Sequence, residues 1–218
     1  MKRWGDFRVI RPGRVAFDEA WDLQRKLADE VRAGGLPALI LLEHPPVFTL
    51  GKNADLANLL NAGDIPVRRI DRGGDVTWHG PGQLVAYPIL SLRERKLGVR
   101  GHVEALERTI VEVAATYGVQ AAPKPGCVGV WTAKGKIASI GIRVASGVTQ
   151  HGAALNVDPD LASFARINPC GVKGGAVTSI AAEAGRRITV DEAAERFIPH
   201  FTAAFRFAGP EARTPARA

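Results

Sequence analysis

Short apolar segments separated by glycine and proline dominate this sequence and limit the folds it can adopt. The 218 residues include 24 Gly and 14 Pro, and the longest apolar run is residues 36–42. A membrane-spanning helix needs about 20 consecutive apolar residues, so we expect no transmembrane segment. Most apolar segments have the length of strands, and turn residues typical of hairpins join many of them. The pattern predicts an α+β protein with a mixed, largely antiparallel sheet and flanking helices.

Three segments have helical periodicity: 17–33, which ends at Gly34 and Gly35, then 99–117 and 190–205. We expect short helices at 55–60 and 160–167, and an irregular segment at 168–175. Pro88 lacks a backbone N–H, which predicts an edge position for its strand. We expect one domain over residues 1–208 and a mobile tail at 209–218. The predicted strands are 7–10, 38–42, 47–50, 67–70, 75–78, 83–90, 128–132, 137–144 and 148–157.

The net charge of +7 is concentrated at the two ends of the chain. Residues 1–14 carry five basic side chains against one acidic, and residues 206–218 carry three against one. Residues 15–205 are almost neutral, with 21 basic and 20 acidic side chains. This distribution, without a basic stripe or zinc-finger spacing, argues against nucleic-acid binding. The one basic cluster of the neutral part consists of Arg93, Arg95, Lys96 and Arg100, and it is a candidate for docking an acidic protein.

Glycine is densest in residues 72–83, RGGDVTWHGPGQ, where four of twelve residues are Gly. A segment without Cβ atoms lets the backbone approach a ligand closely, although two tight turns would give the same composition. The segment has neither the spacing of a phosphate-binding loop nor that of a dinucleotide-binding motif. Nucleotide binding is therefore not indicated, and we expect no cofactor.

The two cysteines differ in their surroundings. Cys127 begins a predicted strand and is expected to be a small buried side chain. Cys170, in the irregular loop NPCG, is a candidate nucleophile, but a thiol with an ordinary pKa is only about 3% thiolate at pH 7. A base or cation must therefore assist it. The candidates are His79, His151, Lys136 and Lys173, and none of the spacings suggests a metal site.

Four motifs, taken in order, resemble the octanoyltransferases of lipoate biosynthesis, also called the lipoate–protein ligase B family. They are residues 72–83, residues 136–141 (KIASIG), residues 151–156 (HGAALN) and residues 160–171 (DLASFARINPCG). The resemblance runs from about residue 17 to 180. It implies the catalytic-domain fold of biotin and lipoate ligases. It also implies transfer of an octanoyl group from octanoyl-acyl carrier protein to a lysine of a lipoyl domain.

The same resemblance assigns roles to individual residues. Cys170 corresponds to the nucleophile that carries the acyl group, and Lys136 to the lysine that lowers the pKa of that thiol. Trp78 stands where the family usually has Tyr, at an expected wall of the pocket. The implied substrate-binding residues are Arg72, Gly73, Gly74, Asp75, Val76, Thr77, Trp78, His79, Ser139, Ile140, Gly141, Gly152, Ala153 and Ala154.

The implied partners are octanoyl-acyl carrier protein, the lipoyl domains of 2-oxoacid dehydrogenases and the glycine-cleavage H protein. No secretory signal is visible at the start of the sequence, so we expect a cytoplasmic enzyme without nucleic-acid or membrane partners. Two alternatives stay open. One is an ATP-dependent lipoate–protein ligase of the same fold, and the other is a non-catalytic protein that binds lipoyl domains.

Overall fold

Two sheets of unequal size form the framework of the protein. The structure, a computed structural model, describes residues 2–4, 6–168 and 175–207. Cys170, Lys173 and the predicted tail 209–218 lie outside the described residues. The single domain proposed for residues 1–208 stays a prediction.

The larger sheet has eight strands in the order β1-β2-β3-β7-β11-β10-β9-β8. Within the described ranges its neighbours pair antiparallel, except for the parallel pair β2–β3. The predicted α+β class with a largely antiparallel sheet is therefore confirmed. These strands are β1 (Lys2–Trp4), β2 (Phe7–Arg14), β3 (Ala38–Glu43), β7 (Gln83–Ile89), β8 (Ala122–Lys124), β9 (Cys127–Trp131), β10 (Lys136–Ala145) and β11 (Val148–Asn156).

The smaller sheet has three strands in the order β5-β4-β6. They are β4 (Val47–Leu50), β5 (Val67–Arg69) and β6 (Val76–His79). The helices are α1 (Phe17–Arg32), α2 (Val99–Ala115), α3 (Ile180–Ala184) and α4 (Val190–Ala204). No helix among the described residues combines the length and the apolar character needed to cross a membrane.

The central strands are apolar throughout because both faces of the large sheet are covered. On β3, Leu39 and Leu41 pack in the core formed with α2 and α4, while Ile40 and Leu42 pack in a second cluster with α1. Phe201 of α4 lies inside the first core among other aromatic rings. This two-sided burial explains the unbroken apolar run of residues 38–42, which alternation alone would not predict.

The edge position predicted from Pro88 is wrong. β7 lies inside the sheet between β3 and β11, and Pro88 is opposite Leu39 of β3. The carbonyl of Pro88 accepts a hydrogen bond from the Thr149 hydroxyl (2.7 Å), so this residue faces β11. The regular pairing of β7 with β11 ends at Ala86 and Ala153, before Pro88 is reached. The sheet therefore accommodates a central proline where its ladder is already interrupted.

Several predicted elements are shorter than expected. The helices predicted at 55–60 and 160–167 are 3₁₀ segments at Leu56–Asn58 and Leu161–Arg166, each begun by an Asp side chain that accepts a backbone N–H. The sequence analysis did not predict the short elements β1, β8 and α3, which have three to five residues each. Cys127, expected to be buried, is half-buried at the start of β9.

We predict that Phe201→Ala lowers the free energy of unfolding by about 3–5 kcal/mol, because the closely packed core around Phe201 cannot fill the cavity that the substitution leaves. The Phe201 ring is 1% exposed and lies 5.6 Å from the Phe7 ring and 4.4 Å from the Phe205 ring. Urea unfolding followed by circular dichroism measures the change. Leu56→Ala is the control, because this side chain is 59% exposed and its loss should cost less than about 0.5 kcal/mol. A loss below about 1 kcal/mol for Phe201→Ala would contradict the packing described here.

Candidate active site

A partly open pocket lies between the two sheets. Residues from α1, β6, β7, β10 and β11 and from the loop before β6 surround it. The lining residues are Phe17, Ile70, Arg72, Gly74, Asp75, Val76, Thr77, His79, Tyr87, Lys136, Ser139, Ile140, Gly141, His151, Gly152, Ala153 and Ala154. Thus Lys136 and twelve of the fourteen predicted substrate-binding residues line one pocket, although their roles stay predictions.

Glycines allow the loop before β6 to lie directly against the large sheet. The Gly73 N–H donates to the Ile142 carbonyl of β10 at 2.9 Å. Gly141 and Gly152 are opposite each other on β10 and β11. A Cβ on Gly141 would lie 2.8 Å from the Gly73 oxygen, and one on Gly152 would lie 2.2 Å from the Ala86 oxygen. The glycines that suggested contact with a ligand are therefore also required for contact between backbone segments.

Arg72 fastens the same loop to β4 of the small sheet. Its side chain is buried, and Nη2 donates to the Thr49 carbonyl at 2.8 Å and to Thr49 Oγ1 at 3.0 Å. Nη1 donates to the Gly73 carbonyl at 3.0 Å. A buried guanidinium thus lines the pocket while its donors hold neighbouring backbone in place.

Lys136 is buried at the start of β10, with 5% of its surface exposed. Its Nζ lies 4.8 Å from the centroid of the Trp131 ring, a geometry that stabilises an ammonium through the ring's negative face. A Cβ on Gly129 would lie 2.5 Å from the Ala138 carbonyl oxygen and 2.8 Å from Lys136 Cε, so a side chain at residue 129 would displace β10 or the Lys136 side chain.

Two neutral histidines, His79 and His151, line the pocket, and a third, His44, packs against His79 and Tyr87 behind it. Burial lowers the pKa of His44 and of His151 to about 4, and burial together with the nearby His44 lowers the pKa of His79 to about 3. Burial raises the pKa of Tyr87. These groups are therefore uncharged at neutral pH, and the surface they give the pocket is polar but without charge.

Hydrogen bonds hold the histidines in defined orientations. The His44 Nδ1 lies 2.7 Å from the Val15 carbonyl and therefore donates, so Nε2 accepts from the Tyr87 hydroxyl at 2.8 Å. The His151 Nε2 lies 3.1 Å from Asp71, and its backbone N–H donates to the Gln24 side chain at 2.7 Å. His151 has φ +57°, a left-handed conformation that is uncommon for residues other than glycine. Such outliers occur often at functional sites.

Trp78 and Gly73 are the two predicted substrate-binding residues that do not line the pocket. Trp78 is 2% exposed and its ring lies 5.2 Å from the Phe164 ring, in a separate cluster beneath the small sheet. Thr77 and His79, its neighbours on β6, do line the pocket. The wall expected at Trp78 is therefore formed by other residues. Gly73 contributes its N–H to the large sheet instead.

Sequence reasoning did not propose Phe17, Ile70 or Tyr87 as lining residues. Their apolar positions in a predicted helix and predicted strands look the same as core positions. His44, between a strand and two prolines, carried no signal at all. Within the described ranges, no group of three or more His, Cys, Asp or Glu side chains has the arrangement of metal ligands.

A family model described as the lipoyl protein ligase A/B catalytic domain matches residues 17–202. A protein of Geotalea uraniireducens named octanoyltransferase is 49% identical over 189 residues, which cover 86% of this chain and 88% of that protein. An octanoyltransferase of Citrifermentans bemidjiense is 50% identical, over 84% of this chain and 89% of that protein. The chain belongs to the octanoyltransferase family. The family resemblance expected from the four motifs is thereby confirmed.

Solved structures show that the family's fold extends to ligases. A bi-partite lipoate protein ligase from Thermoplasma acidophilum matches with a TM-score of 0.72 at 17% identity, covering 95% of this chain and 86% of that one. A biotin protein ligase from Aquifex aeolicus matches with a TM-score of 0.54 at 10% identity, covering 92% and 70%. The predicted catalytic-domain fold of biotin and lipoate ligases is therefore confirmed for this octanoyltransferase.

We predict that the free energy of unfolding falls as the pH is lowered from about 6.5 towards 4. His44, His79, His102 and His151 all have a lowered pKa in the folded state, so the unfolded state binds more protons over this interval. Their contribution to the slope is half its maximum near pH 6.5 and disappears about one pH unit above that value. Thermal unfolding between pH 4.5 and 7.5 measures the slope.

His102→Phe is the diagnostic variant, because His102 is fully buried and neither ring nitrogen has a hydrogen-bond partner among the residues that the structure describes. Burial lowers its pKa to about 4, and its ring meets the Phe205 ring at 5.1 Å. The variant should reduce the slope by about one proton. A slope equal to that of the unmodified protein would show that His102 is not buried in its neutral form.

Proposed function

We propose that this octanoyltransferase moves an octanoyl group from octanoyl-acyl carrier protein to the ε-amine of a lysine in a lipoyl domain, through a thioester on Cys170. The observation that carries the proposal is the buried Lys136 in the same pocket as the predicted glycine segments. Relatives named octanoyltransferase at 44–50% identity support the acyl group. Cys170 itself lies outside the described residues, so its proposed role as the nucleophile rests on the sequence motif of residues 160–171.

In the first step, the Cys170 thiolate attacks the carbonyl of the donor thioester. A bond forms between that carbon and Sγ, and the bond to the carrier's sulfur breaks. Lys136 takes the proton of the Cys170 thiol, and the departing carrier thiolate then takes it up. One thioester replaces another, so this step is nearly isoenergetic.

In the second step, the ε-amine of the target lysine attacks the octanoyl-Cys170 carbonyl. A C–N bond forms, the C–S bond to Cys170 breaks, and Lys136 accepts the amine proton and passes it to the thiolate. The product is an amide, which is more stable than a thioester. The free energy of the donor thioester drives both steps, so the reaction needs no nucleotide. Because the transfer consists of two half-reactions, we expect ping-pong kinetics.

The lining of the pocket suits an uncharged linear chain. Phe17, Ile70, Ala153 and Ala154 are apolar, and the surrounding histidines are neutral. Burial of the methylenes of an octanoyl tail contributes about 5 kcal/mol at ~0.8 kcal/mol for each group. The glycines of β10 and β11 add no side chains that would fill this space.

The proposed acceptors are the lipoyl domains of 2-oxoacid dehydrogenases and the glycine-cleavage H protein. The proposed location is the cytoplasm, where a catalytic thiol stays reduced.

The basic cluster of Arg93, Arg95, Lys96 and Arg100, which was a candidate for docking the carrier protein, lies far from Lys136. Leu92 bonds to Gly147 at the β10–β11 turn, about 30 Å of strand away from Lys136. Arg100 pairs with Glu104, and Arg95 lies over the Phe207 ring. This position does not support docking of the carrier protein beside Lys136.

We predict that the protein gains the mass of one octanoyl group when it is mixed with octanoyl-acyl carrier protein without nucleotide, and that Cys170→Ser abolishes this gain. Intact mass spectrometry detects the adduct. Cys127→Ser is the matched control and should still form it. An adduct on Cys170→Ser would refute the nucleophile. Strict dependence on ATP and free lipoate would favour the ligase alternative, and no transfer under either condition would favour a binding protein.

We predict that Lys136→Met lowers kcat about 100-fold or more and raises the pH at which iodoacetamide labels Cys170, because the variant removes both the proton acceptor and a nearby cation. Steady-state kinetics and a labelling profile from pH 5 to 10 measure the two effects. Lys134→Met is the control, since this neighbouring lysine is exposed and pairs with Glu183 at 3.6 Å. Unchanged turnover and labelling in Lys136→Met would remove Lys136 from the mechanism.

A further inference from the structure

A chain of buried polar side chains runs from the pocket to the backbone beside Lys136. Arg72 Nη2 lies 3.0 Å from Thr49 Oγ1, which lies 3.4 Å from His79 Nε2. His79 Nδ1 lies 2.7 Å from Gln83 Oε1. Gln83 Nε2 lies 2.9 Å from Asn156 Oδ1, and Asn156 Nδ2 lies 3.1 Å from the Thr178 carbonyl. Each of these side chains is less than 9% exposed.

The Thr178 carbonyl, at the end of this hydrogen-bonded series, determines the direction of every hydrogen bond before it. A peptide carbonyl only accepts, so the Asn156 amide must direct its NH₂ group towards Thr178. Its Oδ1 then accepts from Gln83, whose Oε1 accepts from His79 Nδ1–H. His79 Nε2 is left as an acceptor for the Thr49 hydroxyl, which itself accepts from Arg72. All donors point from the Arg72 guanidinium towards Thr178, an arrangement in which successive bonds polarise and strengthen one another.

The end of this chain coincides with the backbone that holds Lys136. The Thr178 N–H donates to the Lys136 carbonyl at 3.0 Å, and the Lys136 N–H donates to the Ala176 carbonyl at 2.9 Å. The other side of the Lys136 hairpin is held by Glu183, which accepts from the hydroxyls of Thr132 and Thr178. Residues 176–178 are therefore the support against which Lys136 is aligned.

We propose that Gln83 and Asn156 are positioning residues for Lys136, acting through the Thr178 carbonyl and the backbone of residues 176–178. The inference rests on the role of Lys136 in the proposed function. It adds two residues that do not line the pocket and that act on the reaction through another group. Their effect should appear in turnover more than in substrate binding, because the acyl pocket itself is left intact.

The position of the two amides argues for this role over simple packing. Gln83 and Asn156 lie on adjacent central strands, beside Leu84 and Leu155, which are buried in the main core. Apolar side chains in such places are commonly as stable as polar ones, since burying amides costs free energy that their hydrogen bonds only offset. A connected polar chain at this place instead restricts the segment it ends on to one arrangement.

The test compares Asn156→Leu and Asn156→Asp with Thr149→Val. Asn156→Leu removes the link to Thr178, and Asn156→Asp keeps the shape but places an oxygen against the Thr178 carbonyl. Thr149 is the matched control because it is buried like Asn156 and lies on the same strand, β11. Its hydroxyl also bonds to the backbone of residues 88 and 90, but at the end of β11 that is remote from Lys136. The readouts are the melting temperature, kcat and KM with octanoyl-acyl carrier protein, and the pH profile of Cys170 labelling by iodoacetamide.

We expect both Asn156 variants to lower kcat at least ~10-fold with KM within about threefold, and to shift the labelling profile to higher pH, as Lys136→Met does. Thr149→Val should lower the melting temperature and leave kcat and the labelling profile within about twofold of the unmodified protein. If Asn156→Leu melts below the assay temperature, Asn156→Asp decides the matter. Wild-type kcat and labelling in a folded Asn156 variant would overturn the inference.

The proposed function and the positioning role of Asn156 can fail independently of each other. The proposed function fails if the unmodified protein forms no octanoyl adduct. The labelling profile still tests the positioning role in that event, because it requires no acyl donor. A profile that moves in Asn156→Asp and in Lys136→Met, but not in Thr149→Val, would support the link between Asn156 and Lys136.

Discussion

The backbone contact between the loop before β6 and the edge of β10 makes the pocket possible. Gly73 donates to the Ile142 carbonyl, and Gly141 has no side chain at the point where the loop approaches β10. A side chain at Gly141 would push the loop, and with it the small sheet, away from the large one. The space between the sheets would then lose its shape, and with it the common surroundings of Arg72, His79 and Lys136.

Electrostatics gives the pocket a charged group beside neutral ones. Arg72 is a buried cation whose guanidinium donates to Thr49, and the Lys136 Nζ faces the Trp131 ring. The histidines His44, His79 and His151 are neutral because burial disfavours the charged form. A pocket of this kind can hold an apolar chain against neutral groups and still present an amine where a proton must be moved. The same burial makes the fold sensitive to acid, so the site and the stability share one physical cause.

Polar groups inside the sheets are not scattered but connected. Thr49, His79, Gln83 and Asn156 lie on four strands, are linked to one another by hydrogen bonds, and end at the Thr178 carbonyl next to Lys136. Because each bond depends on the orientation of the next group, the chain transmits position rather than charge. The small sheet contains His79 and accepts the hydrogen bonds of Arg72. The polar chain thus links this sheet to the strand that begins with Lys136.

The sequence by itself determined the class of fold and the segments that meet at the site. Strand-length apolar runs with Gly and Pro breaks predicted an α+β sheet protein, and four motifs predicted Lys136 and most residues that line the pocket. Only the tertiary structure decided which side of each strand faces the pocket, since alternation turns Trp78 away while His79 lines it. It also decided that Pro88 lies in a central strand, because the neighbouring ladder stops just before it. Burial of Lys136 and the lowered pKa values of the histidines likewise come from distant parts of the chain packed around them, which no local pattern contains.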